Sequence, residues 1–187
     1  MPITPRSRPQ MKQEEACALF DKTCREIGVD PATLPPVRVL AIRGYYRDTM
    51  GKKGRNDRGI YDDAFIVMSP TAYVTFNGNT DPSIYRKRVA VVKAPQLLWY
   101  KPGTHWGKIP HKAFRQDAPV TVLRDGVGED RGMFGINNHR GGLTGTSSLG
   151  CQTVYKPQWP AYRDLVNGEL ARYGQKRFPY VLTAVAE

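Results

Sequence analysis

Two side chains in the C-terminal part of the chain have the type and setting for nucleophilic chemistry. They are Cys151, closing the run Ser148-Leu149-Gly150-Cys151, and His139, twelve residues before it. A free thiol titrates near about 8.5, so little of it is thiolate at neutral pH, and a nucleophilic cysteine needs a neighbouring base or a positive dipole. His139 is the candidate base, because the intervening stretch holds Gly141, Gly142 and Gly145 and can fold back on itself. The expectation is that His139 draws the Cys151 pKa below the free value. Gly150 would let backbone N–H groups around Cys151 turn toward a developing oxyanion. Arg140, next to His139, suits a bidentate contact with a peptide carboxylate or a place on an exposed loop. Trp99, Tyr100, Trp106 and Tyr155 suit a groove wall or the core, and Arg124 with Asp125 suits an internal ion pair. His105, His111 and His139, with Asp117 or Asp125, contain donors for zinc, but no pair stands at i, i+4 and no His-Glu-x-x-His occurs, so no metal and no cofactor is expected.

The segment from Met133 to Val154, with His139, a short Gly/Ser/Thr loop and then Ser148-x-Gly150-Cys151, resembles the signature of the L,D-transpeptidase (YkuD-type) family. Asn79 to Pro82, Tyr100 to His105, His111 to Phe114 and Leu123 to Asp125 are similar to landmarks of a phage and bacterial branch of such proteins. The resemblance implies Cys151 as nucleophile, His139 as base, and Ser148 and Gly150 as residues shaping the turn. Arg140, Asn138, Gln152, His105 and Trp106 are then the residues expected to touch substrate. Two departures stand out: Gln152 and Thr153 replace the Arg or Asn that commonly follows the cysteine, and the spacing of twelve is short. The implied fold is α+β and β-rich, an L,D-transpeptidase-like sandwich or barrel with an N-terminal helix and a helix after the cysteine.

These residues need a frame, and the chain predicts one. Residues 1–9 read as a disordered basic arm and 10–187 as one catalytic domain. The apolar period from Gln10 to Ile27, ended by Gly28, predicts a docking helix. Val37 to Ile42 predicts a strand, and Asp48 to Gly59, rich in glycine and charge, a surface loop. Ala64 to Met68 and Ala72 to Phe76 predict a hairpin about Ser69-Pro70, followed by a turn-rich loop from Asn77 to Pro82. Short strands are expected at Arg88 to Val92, Leu97 to Tyr100, Val120 to Arg124, and Met133 to Asn137, the last delivering His139. Trp159 to Tyr173 predicts a helix stopped by Gly174, and Tyr180 to Val185 a closing strand.

A length of 187 residues fits one domain with a sizeable core. The longest apolar run is far short of a membrane span. Three cysteines argue against a disulfide framework; Cys17 and Cys24 read as helix residues. A net charge of +11 implies an anionic partner, whether nucleic acid, a membrane surface or an acidic polymer such as the bacterial envelope, and the resemblance implies peptidoglycan. The basic residues are dispersed, which speaks against specific nucleic-acid binding. The opening residues lack the apolar stretch of a signal peptide. The expected protein is thus an endolysin-like peptidoglycan stem-peptide hydrolase, monomeric, held in a host cytoplasm until it reaches the cell wall. A true cross-linking L,D-transpeptidase, a non-catalytic wall-binding protein and a zinc peptidase are the competing readings.

Overall fold

The computed structural model describes residues 7–107 and 109–185. After an N-terminal helix α1 (Gln13–Glu26), the strands run β1 (Arg38–Arg43), β2 (Asp63–Ser69), β3 (Ala72–Asn79), β4 (Ala90–Val92), β5 (Gln96–His105), β6 (His111–Gln116), β7 (Val120–Arg124), β8 (Gly128–Gly132), β9 (Asn138–Arg140) and β10 (Gln152–Val154). Helix α2 (Trp159–Arg172) and β11 (Phe178–Ala184) close the described chain. Eight strands form a closed barrel in the order β1-β11-β5-β6-β9-β10-β3-β2, and β4-β7-β8 make a separate sheet. The α+β, β-rich class and the two flanking helices agree with the sequence.

Alternation along the strands explains why β1, β2 and β11 are buried on both sides. In β1, Val39 and Ala41 join the barrel core, while Leu40 and Ile42 meet Ala16, Phe20 and Cys24 of α1. Phe65 and Val67 of β2 likewise face inward, and Ala64, Ile66 and Met68 face the helix. A period of two sends successive side chains to opposite faces, so an unbroken apolar run marks a strand covered twice. Helix α2 places Trp159, Tyr162, Val166 and Leu170 against the barrel core, where Tyr162 meets the Phe76 ring edge-on at 5.2 Å.

Residues 1–6 of the expected arm lie outside the described residues. Pro9 is buried, its carbonyl accepts from the Thr75 hydroxyl at 2.8 Å, and the Arg8 guanidinium lies 4.7 Å from the centre of the Phe76 ring.

Two local expectations are corrected. Residues 77–82 are not loop throughout: β3 runs on to Asn79, and Asn77, Asn79, Thr80 and Asp81 are all buried. Asp63 accepts from the Thr80 N–H, and Arg43 binds the Thr80 hydroxyl and pairs with Asp81 at 3.2 Å, so buried partners replace solvent. Burial pushes the Asp62 and Asp63 carboxyls well above the usual range. The segment 133–137, in turn, is not a strand. Gln116 Oε1 accepts from the Phe134 and Ile136 N–H groups, while its amide nitrogen donates to the Gly132 and Ala118 carbonyls. A side chain thereby occupies the donors a neighbouring strand would take, and Gly135 adds a positive φ of 71°.

Candidate active site

The pairing of β9 with β10 brings the histidine to the cysteine. These strands are parallel, with Asn138 opposite Gln152 and His139 opposite Thr153. Parallel neighbours need a long return path, which residues 141–151 supply as a crossover loop. Cys151 therefore enters β10 level with Asn137, and the two meet through the Gln152 N–H donating to the Asn137 carbonyl at 2.9 Å. The Cys151 sulfur and one ring nitrogen each of His139 and His105 lie within 4.8 Å of one another.

Two further histidines follow from register. His105 and His111 face each other across β5 and β6, and Phe114 of β6 pairs with Asn138 of β9. Phe114 points into the core, so alternation turns its neighbours His111 and His139 outward onto one face. The His105 ring stacks on His139 with centroids 4.1 Å apart and an 18° tilt. His111 lies 5.3 Å from His105 and 5.4 Å from His139.

His139 is almost fully buried and its Nδ1 donates to the Arg140 carbonyl at 2.8 Å, which leaves Nε2 with a free lone pair. Burial, then the neighbouring His105, lowers its pKa to about 3. The half-buried Cys151 thiol donates to the Gly135 carbonyl at 3.5 Å. Burial pushes this thiol up to about 11, against a lowering hydrogen bond from the Asn137 backbone. The expectation of a thiol held below 8.5 by His139 is thus corrected: desolvation disfavours both charges, and at neutral pH the pair is a neutral thiol beside a neutral imidazole. Alkylation of Cys151 by iodoacetamide should accordingly climb about tenfold per pH unit from about pH 7 to 10. A rate already level between about pH 7 and 8.5, read from labelled peptide, would reveal a preformed ion pair.

The turn before the thiol is built by Ser148. Its buried hydroxyl donates to the Cys151 carbonyl at 2.7 Å and accepts from the Gly150 N–H at 3.0 Å. The Gly150 N–H is therefore spent inside the turn rather than aimed at an oxyanion, while none of the described backbone hydrogen bonds uses the Cys151 N–H. Gly150 has φ +125°, and a Cβ there would stand 2.5 Å from the Ala90 carbonyl oxygen. Gly150→Ala should cost roughly 1–3 kcal/mol in backbone strain alone, seen as a lower denaturation midpoint. An unchanged midpoint would mean that the turn relaxes freely.

Several expected substrate contacts belong to the frame instead. Asn138 and Gln152 are fully buried. Asn138 donates to the Gln152 carbonyl, and Gln152 bridges the Tyr180 hydroxyl to the Thr80 carbonyl. Arg140, with His105, His111, His139, Ile109 and Lys156, lines an open cleft of about 410 Å³. Trp106, 74% exposed, stands on the β5–β6 connection. Trp99 lies under the Arg177 guanidinium, Tyr100 is in the core and Tyr155 packs on Tyr61. Arg124 pairs with Asp130 and Asp125 with Arg58, so the expected Arg124–Asp125 pair does not form. Asp117 is held by Lys101 and Arg177, away from the histidines. A concavity of similar size, about 420 Å³, bounded by Arg43, Arg47 and Thr183, contains no cysteine or histidine.

Sequence reasoning missed the residues that hold the crossover loop. The Tyr61 hydroxyl donates to the Gly142 and Gly145 carbonyls. Ser83 bonds the Thr146 hydroxyl, and its backbone N–H and side-chain oxygen clasp Ser148 at 2.8 Å each. Asn137 links the thiol to His105, its amide donating to His105 Nδ1 at 3.1 Å. The one signal for Asn137 was its place just before Asn138-His139; Tyr61 and Ser83 lie more than fifty residues upstream of their partners and left none. No protein-family model, curated protein or solved structure matches this chain.

Proposed function

We propose that the chain is a cysteine-dependent hydrolase of peptidoglycan stem peptides, with an L,D-transpeptidase-type arrangement acting through an acyl-enzyme on Cys151. The observation that carries this reading is the Cys151 sulfur within 4.8 Å of a ring nitrogen of His139, beside a cleft lined by Arg140. A nucleophile, a base with a free lone pair and a cation for a carboxylate are the parts that acyl transfer from a short acidic peptide needs. The Ser148-x-Gly150-Cys151 turn and the resemblance of its surroundings supply the substrate class. The net charge of +11 suits adhesion to an anionic envelope.

In the proposed reaction a substrate carbonyl enters above the sulfur, and the thiol turns from the Gly135 carbonyl toward His139 Nε2. The sulfur attacks carbon as its proton passes to the imidazole. The negative charge moves to the carbonyl oxygen, and the imidazolium beside it balances that charge. The Cys151 N–H, which none of the described backbone hydrogen bonds uses, would donate to the oxyanion. The imidazolium returns the proton to the leaving amine, giving a thioester, and water activated by His139 releases the acid.

Incubation with purified sacculi, followed by a muropeptide profile, tests this. Hydrolysis gives shortened or uncrosslinked peptides. New cross-links would instead favour a transpeptidase, and binding with an unchanged profile a wall-binding protein.

A further inference from the structure

We propose that His105, His139 and Cys151 also form a binding site for a borderline divalent cation such as Zn²⁺, and that its occupation takes the thiol out of acyl transfer. Their three ligand atoms already lie within 4.8 Å of one another. Zinc holds nitrogen at about 2.0–2.1 Å and sulfur at about 2.3 Å, so capture asks these atoms to close in by roughly 1 Å. Little holds them back. The thiol is tied by the 3.5 Å contact to the Gly135 carbonyl and by the Asn137 backbone, and the His105 ring, stacked on His139, takes an amide donor from Asn137.

The surrounding groups favour this use. His139 Nδ1 donates to a backbone carbonyl, the outer contact that fixes a ligating imidazole with Nε2 toward the metal. His111 Nδ1 lies 3.0 Å from the Ile109 carbonyl, and its buried Nε2 has no partner among the described residues. That orphaned nitrogen, on a ring 5.3 Å and 5.4 Å from the other two, lies outside the trio of atoms within 4.8 Å and would have to turn toward them to add a fourth ligand. A set of imidazoles and a thiol with no carboxylate selects zinc over magnesium or calcium. Arg140 lines the same cleft and repels a cation, which makes the site reversible rather than permanent.

Binding is an exchange without redox change: the S–H bond breaks, a sulfur–metal bond forms and the proton leaves to solvent. The metal would then occupy both the nucleophile's lone pair and the base's. The site stands on geometry alone; its effect on turnover rests on the thiol chemistry proposed above.

The test uses the metal-free full chain titrated with Co²⁺ as a spectroscopic stand-in for zinc. One ion per chain and a sulfur-to-cobalt charge-transfer absorption are expected. Cys151→Ser should lose the absorption, and His105→Gln should weaken binding by more than about 10-fold, the loss that even an outer-shell change can bring. Wild-type protein alkylated at Cys151 should also lack the absorption, which covers the case of a variant that fails to fold. Zn²⁺ should block iodoacetamide labelling of Cys151, and a chelator should restore it. Cobalt binding without the charge-transfer absorption, equal affinity in Cys151→Ser, or labelling unchanged by zinc would overturn the proposal. Charge-transfer absorption on adding Co²⁺ to a protein whose metal-free form is inert on peptidoglycan would instead sink the hydrolase and leave the metal site standing.

Discussion

Cys151→Ser is expected to retain the fold and to lose about 10⁴-fold or more of the rate at which new amino groups appear from purified peptidoglycan, the scale on which removing a nucleophile acts. The substitution changes one atom, and the turn that holds it is made by Ser148 and Gly150, so circular dichroism and the denaturation midpoint should stay near wild type. A serine hydroxyl is far less acidic and less nucleophilic than a thiol, so the same base yields far less attack. Cys17→Ala and Cys24→Ala serve as controls. Both thiols lie on α1, where Cys24 is buried against the helix-facing side of β1 and β2 and Cys17 packs on that same cluster. Each should leave the rate largely unchanged. A Cys151→Ser rate within about 10-fold of wild type would be too small a loss for a nucleophile.

His139→Ala is expected to lower kcat/KM by about 10²–10⁴-fold, the usual worth of a positioned general base. The double variant Cys151→Ser/His139→Ala should be no slower than Cys151→Ser, because two groups that act as a unit do not add. Iodoacetamide labelling of Cys151 at neutral pH should change little in His139→Ala. The resting imidazole is neutral and does not hold the sulfur as thiolate, since burial sets the thiol near 11 and the ring near 3. That pairing of lost turnover with retained thiol reactivity separates a base used during attack from one that pre-ionises the thiol. Slowed labelling in the folded variant would favour pre-ionisation, and unchanged turnover would remove His139 from the reaction.

The frame was legible where local signals agreed. Gly28 and Gly174, with φ of 74° and 62°, stop α1 and α2 where the apolar periods end. The alternating runs at Val37 to Ile42 and Ala64 to Met68 gave their strands, because side chains of both parities meet apolar neighbours. β6, β8 and β9 were not foreseen: each is three to six residues long, and β8 is entirely charged or glycine. Met133 to Asn137 misled because its apolar pattern is served by the Gln116 side chain, a partner seventeen or more residues away. In the site, His139 and Cys151 were readable because both sit in one short motif. His105 was expected to touch substrate, but its stacking on His139 was not visible, since it depends on the β5–β6–β9 register. Asn138 and Gln152 were misjudged because nothing local marks a polar side chain as one that bonds inward across a barrel.

The central claim is that a stem-peptide acyl group passes through Cys151, and mass spectrometry of rapidly quenched reactions tests it most directly. Protein mixed with stem peptide and acid-quenched during turnover should carry a hydroxylamine-sensitive acyl adduct. Peptide mapping should place that adduct on the segment containing Cys151, and Cys151→Ser should show no thioester. Sustained turnover with no adduct at any quench time, or an adduct confined to Cys17 or Cys24, would contradict it.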